Sequence, residues 1–288
     1  MTSARPWTDS PPPPAGTTEA FRPPRAGILA ALVAAAAAVP APAIQAAAAA
    51  LVDADSGEVL YAHHPDRRWP PASTTKILTA LLAAEVLGDD AVVTISPRAG
   101  REQVGARVGL RAGQRWRVRD LLAALLLISA NDAAVALAEG ADGSVEAFVA
   151  RMNARARQWG LTGSHFVTPH GWPRPGHYST ARDLAILARR LLENERLAAV
   201  VRARTLVLAR PEGTTQTLVN TNRLLWLYPG ADGVKTGWVA ESGPCLVGSA
   251  RRGGRRLVVV LLNATPLYEQ AMALLDYGFA RTPSGRGR

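Results

Sequence analysis

Cysteine is nearly absent from this chain, in which Cys245 is the one thiol among 288 residues. A single cysteine excludes a disulfide within the chain and says little about the compartment in which the protein folds. Leu246 and Val247 follow it directly, so the sequence predicts a small buried strand residue rather than a reactive thiol. No metal-ligating cluster, phosphate-binding loop or dinucleotide fingerprint occurs in the sequence, so neither a metal nor a cofactor is expected.

Lysine is the second residue that the sequence has little of. Arginine supplies 31 of the 33 basic side chains, which leaves only Lys76 and Lys235. Arginine stays protonated in proteins, whereas burial can lower the pKa of a lysine far enough for its amine to act as a base. The two lysines are therefore candidates for chemistry that needs an amine.

Acidic side chains are in the minority. The chain has 23 of them against 33 basic ones, which gives a formal net charge of +10 and an isoelectric point near 10.8. The basic residues are scattered and form no stripe with interleaved aromatics, which argues against a nucleic-acid-binding protein. Solvated surface arginines explain the charge, and attraction to an anionic surface such as a bacterial wall is the alternative.

Residues 1–46 differ in composition from the rest of the chain. Their first 25 residues are rich in proline, threonine and serine without periodicity, and residues 26–39 form an uncharged apolar run that Pro40 ends. A basic flank, a short apolar stretch and the small residues Ala41 and Ala43 are typical of a secretory signal peptide. Because a membrane span needs about 20 apolar residues, an uncleaved anchor is the less favoured alternative. We expect a disordered start followed by a signal peptide or anchor, and an exported protein.

Hydrophobic periodicity divides residues 47–288 into strands near both ends and helices between them. Thr180 is a good N-cap for a following helix, and Asp183 lies in the first turn, where the helix dipole favours an acid. The arrangement predicts an α/β (α+β sandwich) class, with one antiparallel sheet built from both chain ends and an inserted helical subdomain. The predicted strands are 47–53, 59–62, 205–209, 233–238, 245–250 and 257–263, and the predicted helices are 73–87, 118–128, 132–139, 145–159, 181–193 and 266–280.

The first cluster of reactive residue types is Ser73-Thr74-Thr75-Lys76, at the start of a predicted helix. Residues three apart share one face of a helix, so the Lys76 amine can reach the Ser73 hydroxyl. A serine hydroxyl is a weak nucleophile until a neighbouring base takes its proton, and a helix start favours developing negative charge. The structural alternative is that Ser73 simply caps the helix.

The second cluster, Ser129-Ala130-Asn131, lies in the break between two apolar helices. A hydroxyl and an amide two residues apart in such a turn can both face one cleft. Ser129 could relay a proton to a leaving nitrogen, and Asn131 could hold a substrate amide. The same residues followed by Asp132 also make an ordinary helix start.

The third cluster is Lys235-Thr236-Gly237 on a predicted strand, followed by Trp238. Lys235 would supply a positive charge and Thr236 a hydroxyl to a substrate carboxylate, and Gly237 would let a substrate backbone approach the strand. The backbone N–H of Trp238 could form an oxyanion hole with that of Ser73. The structural alternative is an edge strand on which lysine opposes aggregation.

The order of the three clusters is more specific than any one of them. The second serine follows Ser73 by 56 residues and Lys235 follows it by 162. S-x-x-K, then S-x-N, then K-T-G describes the active-site serine penicillin-recognising enzymes. We therefore interpret the three clusters as one site.

From residue 48 to residue 280 the chain resembles the low-molecular-mass D-alanyl-D-alanine carboxypeptidases, the penicillin-binding proteins of peptidase family S11. The resemblance implies a β-lactamase/transpeptidase-like catalytic domain over residues 47–288. It also implies a serine D,D-carboxypeptidase that removes the terminal D-alanine from peptidoglycan stem pentapeptides and is inhibited covalently by penicillins. The similar segments include 51–57 (LVDADSG), 71–76 (PASTTK), 129–133 (SANDA), 148–153, 160–161, 169–171 (PHG), 178–183 (YSTARD), 220–222 (NTN) and 232–237 (DGVKTG).

The resemblance also implies roles for the residues of the three clusters. Ser73 would be the nucleophile that forms the acyl-enzyme, and Lys76 would be the base for acylation. The implied roles of the others are proton relay for Ser129, substrate binding for Asn131, and binding of the terminal carboxylate for Lys235 and Thr236.

One segment departs from the family pattern. His170 lies in a stretch similar to the family's His-Gly-Leu, which implies support of deacylation, whereas its residue type alone favours a structural role in a loop. Trp172 stands in place of the leucine and is followed by Pro173-Arg174-Pro175, so the loop is expected to differ in shape.

The β-rich second domain and amphipathic membrane helix of some family members are not expected here. Membrane contact is therefore expected only through the leader, with the enzyme in the cell wall or periplasmic space.

Three alternatives share the same motifs. A D,D-endopeptidase would cut cross-linked peptidoglycan with the same residues. A class A serine β-lactamase uses a Glu on a loop after the second cluster, and residues 165–178 contain none. Retention of both lysines argues against a catalytically silent wall-binding module. The expected ligands are peptidoglycan stem peptides and β-lactams, without nucleic acid.

Overall fold

The computed structural model describes residues 40–281. Of the predicted leader, residues 1–46, positions 1–39 therefore lie outside the described residues. Within the described range, no helix is both long enough and apolar enough to cross a membrane.

The strands are β1 Ala48–Asp53, β2 Val59–His63, β3 Val92–Thr94, β4 Arg115–Arg117, β5 Thr205–Ala209, β6 Thr215–Val219, β7 Ala231–Gly237, β8 Cys245–Arg252 and β9 Arg255–Leu262. The helices are α1 Lys76–Val86, α2 Pro97–Gly100, α3 Val118–Leu127, α4 Asn131–Asp142, α5 Val145–Gln158, α6 Ala181–Glu193, α7 Glu195–Arg202, α8 Leu224–Leu227 and α9 Leu267–Ala280.

A five-stranded antiparallel sheet with the order β2-β1-β9-β8-β7 joins the two ends of the described chain. β1 pairs with β9 in a register that sets Ala48 opposite Leu262 and Asp53 opposite Leu257. Helices α1 to α8 lie between β2 and β7 in sequence. The prediction of one antiparallel sheet built from both chain ends, with helices inserted between them, is confirmed.

Helices cover both faces of the central sheet. α6 contacts β1 and β9 on one face, and α9 contacts β8 and β9 on the other. Successive strand side chains alternate between faces, so a strand buried on both faces reads as an unbroken apolar run. In β9 the alternation places Leu257, Val259 and Leu261 in one buried cluster and Val258, Val260 and Leu262 in the other.

The long predicted elements are present, and two boundary differences affect the site. Ser73 lies in a 3₁₀ turn, Ala72–Thr75, and the α-helix begins only at Lys76. β7 ends at Gly237, so Trp238 lies beyond the strand that was predicted to include it. Thr180 caps α6 as predicted, and its hydroxyl accepts the N–H of Asp183.

Short elements account for what the sequence did not indicate. Strand 205–209 forms as predicted, but its partner is β6 in a separate two-stranded sheet. β3 pairs with β4 in another small sheet, and α2, α7 and α8 were not predicted. Elements of three or four residues, such as β3, β4, α2 and α8, contain too few side chains to establish a hydrophobic period.

Candidate active site

Ser73 lies on a turn that holds its side chain next to the start of α1. Residues Ala72–Thr75 form a 3₁₀ helix, and Ala72 has a left-handed backbone conformation with φ of 47°. The Nζ atom of Lys76 lies 2.8 Å from Ser73 Oγ. The predicted contact is therefore present in 3₁₀ geometry, in which side chains three residues apart eclipse one another.

The Lys76 amine is fully buried and donates to the backbone carbonyl of His170 at 2.7 Å. Burial, and after it the charge of Lys235, lowers the pKa of Lys76 well below its ordinary value. Asp132 and Glu102 oppose this shift more weakly. Because a buried ammonium loses its hydration, burial favours the neutral amine of Lys76, the form that can accept a proton.

Ser129 and Asn131 lie at the break between α3 and α4, and each has a buried polar atom without a partner. Ser129 has a left-handed conformation with φ of 64°, which costs a non-glycine residue roughly 1 kcal/mol. Among the described residues, neither Ser129 Oγ nor Asn131 Oδ1 has a hydrogen-bond partner, whereas Asn131 Nδ2 donates to the Val104 carbonyl at 2.7 Å. Backbone strain together with unsatisfied polar atoms is typical of a ligand-binding site.

We expect Ser129→Gly to remove most activity without destabilising the fold. Glycine adopts a positive φ without a steric penalty, and the variant loses a buried hydroxyl that has no partner. Ser129→Ala loses the same hydroxyl but keeps the strained backbone, so its free energy of unfolding should be about 1 kcal/mol lower than that of Ser129→Gly. Both variants should react about 10²-fold more slowly with a penicillin, because the predicted proton relay is lost. Denaturant titration measures the first effect, and a glycine variant less stable than the alanine variant would contradict it.

The end of β7 passes directly beside the nucleophile turn. A Cβ at Gly237 would lie 3.0 Å from both the Pro71 carbonyl oxygen and the Ser73 nitrogen, so the absence of a side chain permits this approach. Lys235 is buried, and its Nζ donates to the Thr236 carbonyl at 3.1 Å. Burial lowers the pKa of Lys235 to about 7, so its positive charge is present below neutral pH and is lost above it.

A second hydroxyl accompanies Thr236, and the sequence did not indicate it. Thr221 Oγ1 lies 2.9 Å from Thr236 Oγ1, and both residues line the same cavity. Two adjacent hydroxyls can each donate to one oxygen of a carboxylate. Thr221 lies just after the end of β6, 15 residues before Thr236 in the chain, and only the fold brings it to β7.

The loop that contains His170 is fixed to α1 by a buried histidine that sequence reasoning missed. The Nδ1 atom of His177 accepts the N–H groups of Val167 and Thr168 at 3.0 and 3.3 Å. Its proton must therefore reside on Nε2, which lies 3.0 Å from Thr75 Oγ1 and can donate to it. Burial lowers the pKa of His177 to about 4. The turn that holds the nucleophile is thereby tied to the loop whose carbonyl binds Lys76.

His170 lies on a loop, and it also lines the cavity. Its Nδ1 accepts the Trp172 N–H at 3.1 Å, which leaves the proton on Nε2, and Nε2 lies 4.0 Å from a carboxylate oxygen of Glu102. Burial, and after it the charge of Lys76, lowers the pKa of His170 to about 3. Because Nδ1 already accepts the Trp172 N–H, this neutral imidazole can donate a hydrogen bond from Nε2 to a water.

The loop that follows Gly105 on the cavity wall is held by Asp132, the residue that follows the second cluster. The two oxygens of its carboxylate accept the backbone N–H groups of Val108, Gly109 and Leu110 at 2.8 to 3.1 Å. Gly105, which lines the cavity, lies in the segment just before these contacts. An acid at a helix start was visible in the sequence, but the loop that it binds was not.

A single cavity of about 370 Å³ brings the three clusters together. Lys76 and Lys235 lie buried behind its wall, in contact with Ser73 and Thr236. Cys245 also borders it, but it is buried, and burial raises the pKa of its thiol to about 11. In residues 40–281 no group of His, Cys, Asp and Glu side chains forms a metal site. The predicted site residues on the cavity wall are Ser73, Ser129, Asn131, His170, Thr236, Gly237 and Trp238.

Comparison with known proteins places this site in a defined context. The sequence profile described as D-alanyl-D-alanine carboxypeptidase, Peptidase S11, matches residues 35–266. The chain is 38% identical over 245 residues to the D-alanyl-D-alanine carboxypeptidase DacF of Bacillus subtilis, covering 82% of this chain and 63% of that protein. The match thus spans less than two thirds of that relative. To DacB2 of Mycobacterium tuberculosis it is 38% identical over 241 residues, covering 81% of this chain and 82% of that protein.

Solved structures give the same result. A D-alanyl-D-alanine carboxypeptidase from Mycobacterium tuberculosis superposes with a TM-score of 0.81 at 36% identity, covering 86% of this chain and 96% of that one. The Streptomyces K15 DD-transpeptidase superposes with a TM-score of 0.80 at 33% identity, covering 84% of this chain and 100% of that one. The architecture and the sequence therefore agree.

Proposed function

Because this chain belongs to the D-alanyl-D-alanine carboxypeptidase family, peptidase family S11, we propose that it is a serine D,D-carboxypeptidase acting on peptidoglycan stem pentapeptides. The observation that supports this most directly is a buried lysine amine 2.8 Å from a serine hydroxyl at the cavity wall. The lowered pKa of Lys76 supplies a base where the chemistry needs one. Hydrolysis would release the terminal D-alanine.

In acylation, neutral Lys76 takes the proton of the Ser73 hydroxyl as Ser73 Oγ attacks the carbonyl of the penultimate D-alanine. The negative charge that develops on the carbonyl oxygen is stabilised by the backbone N–H groups of Ser73 and Trp238. The carbon–nitrogen bond then breaks, and the leaving amine receives a proton through Ser129 from Lys76. The products are an ester on Ser73 and free D-alanine, and Lys76 is again neutral.

The terminal carboxylate of the substrate would be bound at the end of β7. Lys235 supplies the positive charge, and the hydroxyls of Thr236 and Thr221 can each donate to a carboxylate oxygen. Asn131 presents an Oδ1 atom that has no partner among the described residues. This oxygen can accept the N–H of a substrate amide, which would align the scissile bond with Ser73.

Deacylation requires a water molecule that attacks the Ser73 ester and loses its proton. Lys76 can accept that proton, because it is neutral again after acylation. His170 lines the same cavity in its neutral form and supports the orientation of the water. Collapse of the intermediate returns the proton to Ser73 Oγ and releases the shortened peptide.

The proposed substrate class supports a location outside the cytoplasm, and the cell wall or periplasmic space is the proposed compartment. Peptidoglycan stem peptides and β-lactam antibiotics are its proposed ligands. A net charge of +10 favours association with an anionic wall. Export would depend on residues 1–46, whose apolar run, residues 26–39, would act as a cleaved signal or as an anchor.

Intact-mass analysis tests the proposal with the wild-type protein. Incubation with benzylpenicillin should add one penicilloyl group, and peptide mapping should locate it on the peptide that contains Ser73. Diacetyl-L-Lys-D-Ala-D-Ala should yield one D-alanine per peptide. The matched control is Ser73→Ala, which should form no adduct. An adduct on a different residue would refute the assignment, and rapid penicillin turnover without an adduct would favour a β-lactamase.

A further inference from the structure

Arginine covers most of the tryptophan rings of this chain, with two exceptions. Of the six tryptophans in residues 40–281, four have a guanidinium within 6 Å of the ring centroid, namely Trp69, Trp116, Trp159 and Trp226. Trp172 and Trp238 have none among the described residues. These same two tryptophans line the active-site cavity. No arginine therefore covers either indole ring at the place where a substrate would pass.

The two rings that no arginine covers are exposed to solvent. Trp172 is 37% exposed and Trp238 is 67% exposed. The Trp172 N–H donates to His170 Nδ1, and its ring lies beside Gly105, where a Cβ would be 3.6 Å from Trp172 Cζ3. Trp238 directly follows the end of β7. Exposed aromatic surface beside a catalytic cavity is typical of a ligand-binding surface.

The direction of β7 determines which part of the substrate meets these rings. Lys235 and Thr236, which would bind the terminal carboxylate, come first along the strand. Gly237 comes next and lies against Ser73. Trp238 lies beyond Ser73, on the side opposite the carboxylate. In a peptide that ends in two D-alanines, that side carries the residues that precede them.

The cavity wall also restricts the chemistry of the bound side chain. In the part of the chain that the structure describes, the wall contains no Asp, Glu, Arg or Lys side chain. The carboxylate of Glu102 is not part of the wall; it lies 4.0 Å from His170 Nε2 and accepts the Val104 N–H. The wall itself therefore presents no carboxylate to an ammonium group at the end of the substrate side chain. Indole faces instead bind methylene groups through apolar contact.

We propose that Trp172 and Trp238 form an uncharged aromatic subsite for the side chain of the residue that precedes the two D-alanines. The subsite binds the methylenes of that side chain and does not select the charge at its tip. Peptides with a free or an acylated terminal amine are then equivalent substrates. The inference rests on the proposed function for its peptide substrates, and its test includes a readout that does not need peptide hydrolysis.

Three synthetic peptides test the subsite through kcat/KM for D-alanine release. They are Nα-acetyl-L-Lys-D-Ala-D-Ala, its Nε-acetylated form, and Nα-acetyl-L-Ala-D-Ala-D-Ala. Since each buried methylene strengthens binding a few-fold, the wild type should prefer either lysyl peptide over the alanyl peptide by about tenfold. The two lysyl peptides should differ by less than about threefold, since no carboxylate distinguishes them.

Trp172→Ala and Trp238→Ala should each reduce the ratio of lysyl to alanyl peptide, to about threefold or less. Trp226→Ala is the matched control, because Trp226 is 45% exposed, lies outside the cavity wall and has Arg204 over its ring. It should leave the ratio unchanged. A ratio that both cavity variants retain would overturn the proposal. So would a preference of more than about tenfold for the free amine, which would require a carboxylate partner.

Acylation rates give the same comparison without peptide hydrolysis. Benzylpenicillin has an apolar acyl side chain, and 6-aminopenicillanic acid has none. The ratio of their acylation rate constants, followed by intact mass, should fall in Trp172→Ala and Trp238→Ala and not in Trp226→Ala. If the protein forms adducts but releases no D-alanine, the proposed peptide substrate is wrong while this ratio still tests the subsite. An unchanged ratio would overturn the subsite in that case also.

Discussion

Lys76→Arg should slow the acylation of Ser73 by benzylpenicillin about 10⁴-fold, although it keeps a positive charge at that position. A guanidinium does not deprotonate in a protein, so no base remains beside Ser73 Oγ. In the proposed mechanism Lys76 acts as a base, because burial and the charge of Lys235 lower its pKa. Stopped-flow or mass-resolved acylation kinetics measure the effect, with thermal denaturation to verify the fold.

Two further variants separate the loss of the base from the loss of packing. Lys76→Met fills a similar volume without an amine and should be as slow as Lys76→Arg. Lys76→Cys should be slow until bromoethylamine restores an amine at the end of the side chain. Cys245 does not interfere, because it is buried and burial raises its pKa to about 11. Near-normal acylation by Lys76→Arg, or failure of the amine to restore any rate, would exclude the role of a neutral amine.

Lys235→Met should raise KM for a D-Ala-D-Ala peptide by about 10- to 100-fold, because a hydrogen-bonded charge on the substrate carboxylate is lost. The same variant should be more stable than the wild type. Lys235 is 1% exposed, and its Nζ donates to the Thr236 carbonyl rather than to a carboxylate. Removing a buried amine without an acidic partner also removes its desolvation penalty. Methionine is of similar length and can fill the space.

The pH dependence of Lys235 gives a second measurement of the same effect. Its pKa is about 7 in the folded protein against 10.5 for an ordinary lysine. The unfolded chain therefore binds more protons than the folded one between these values, so the free energy of unfolding should rise with pH across this window. Lys235→Met should lack this contribution.

The kcat/KM of the wild type should fall above about pH 7, as the carboxylate-binding charge disappears. An alkaline limb that persists unchanged in Lys235→Met would assign it to another group.

The longer elements could be predicted because their side chains follow a clear period. Helix α6 is an example, since Thr180 caps it and its apolar residues recur at helical spacing. The short strands β3 and β4 could not be predicted, because three residues define no period. Their pairing depends on contacts between segments more than 20 residues apart.

The candidate site shows the same division. Ser73, Lys76 and Lys235 were indicated by residue type and spacing, because S-x-x-K spacing alone brings two groups together on one turn. His177, Thr221 and Glu102 carry no such local pattern. They reach the site through loops whose paths depend on hydrogen bonds such as that of His177 to Thr75.

The sequence by itself determined which functional groups are present and how the chain is divided between sheet and helices. It did so because only two lysines occur and because side-chain periodicity is a local property. Tertiary structure alone decided that the pKa of Lys76 is lowered, that Ser129 is strained and that two of the described tryptophans have no arginine over their rings. A pKa depends on burial and on charges from distant segments. A ring is covered or free according to which arginine the fold places over it.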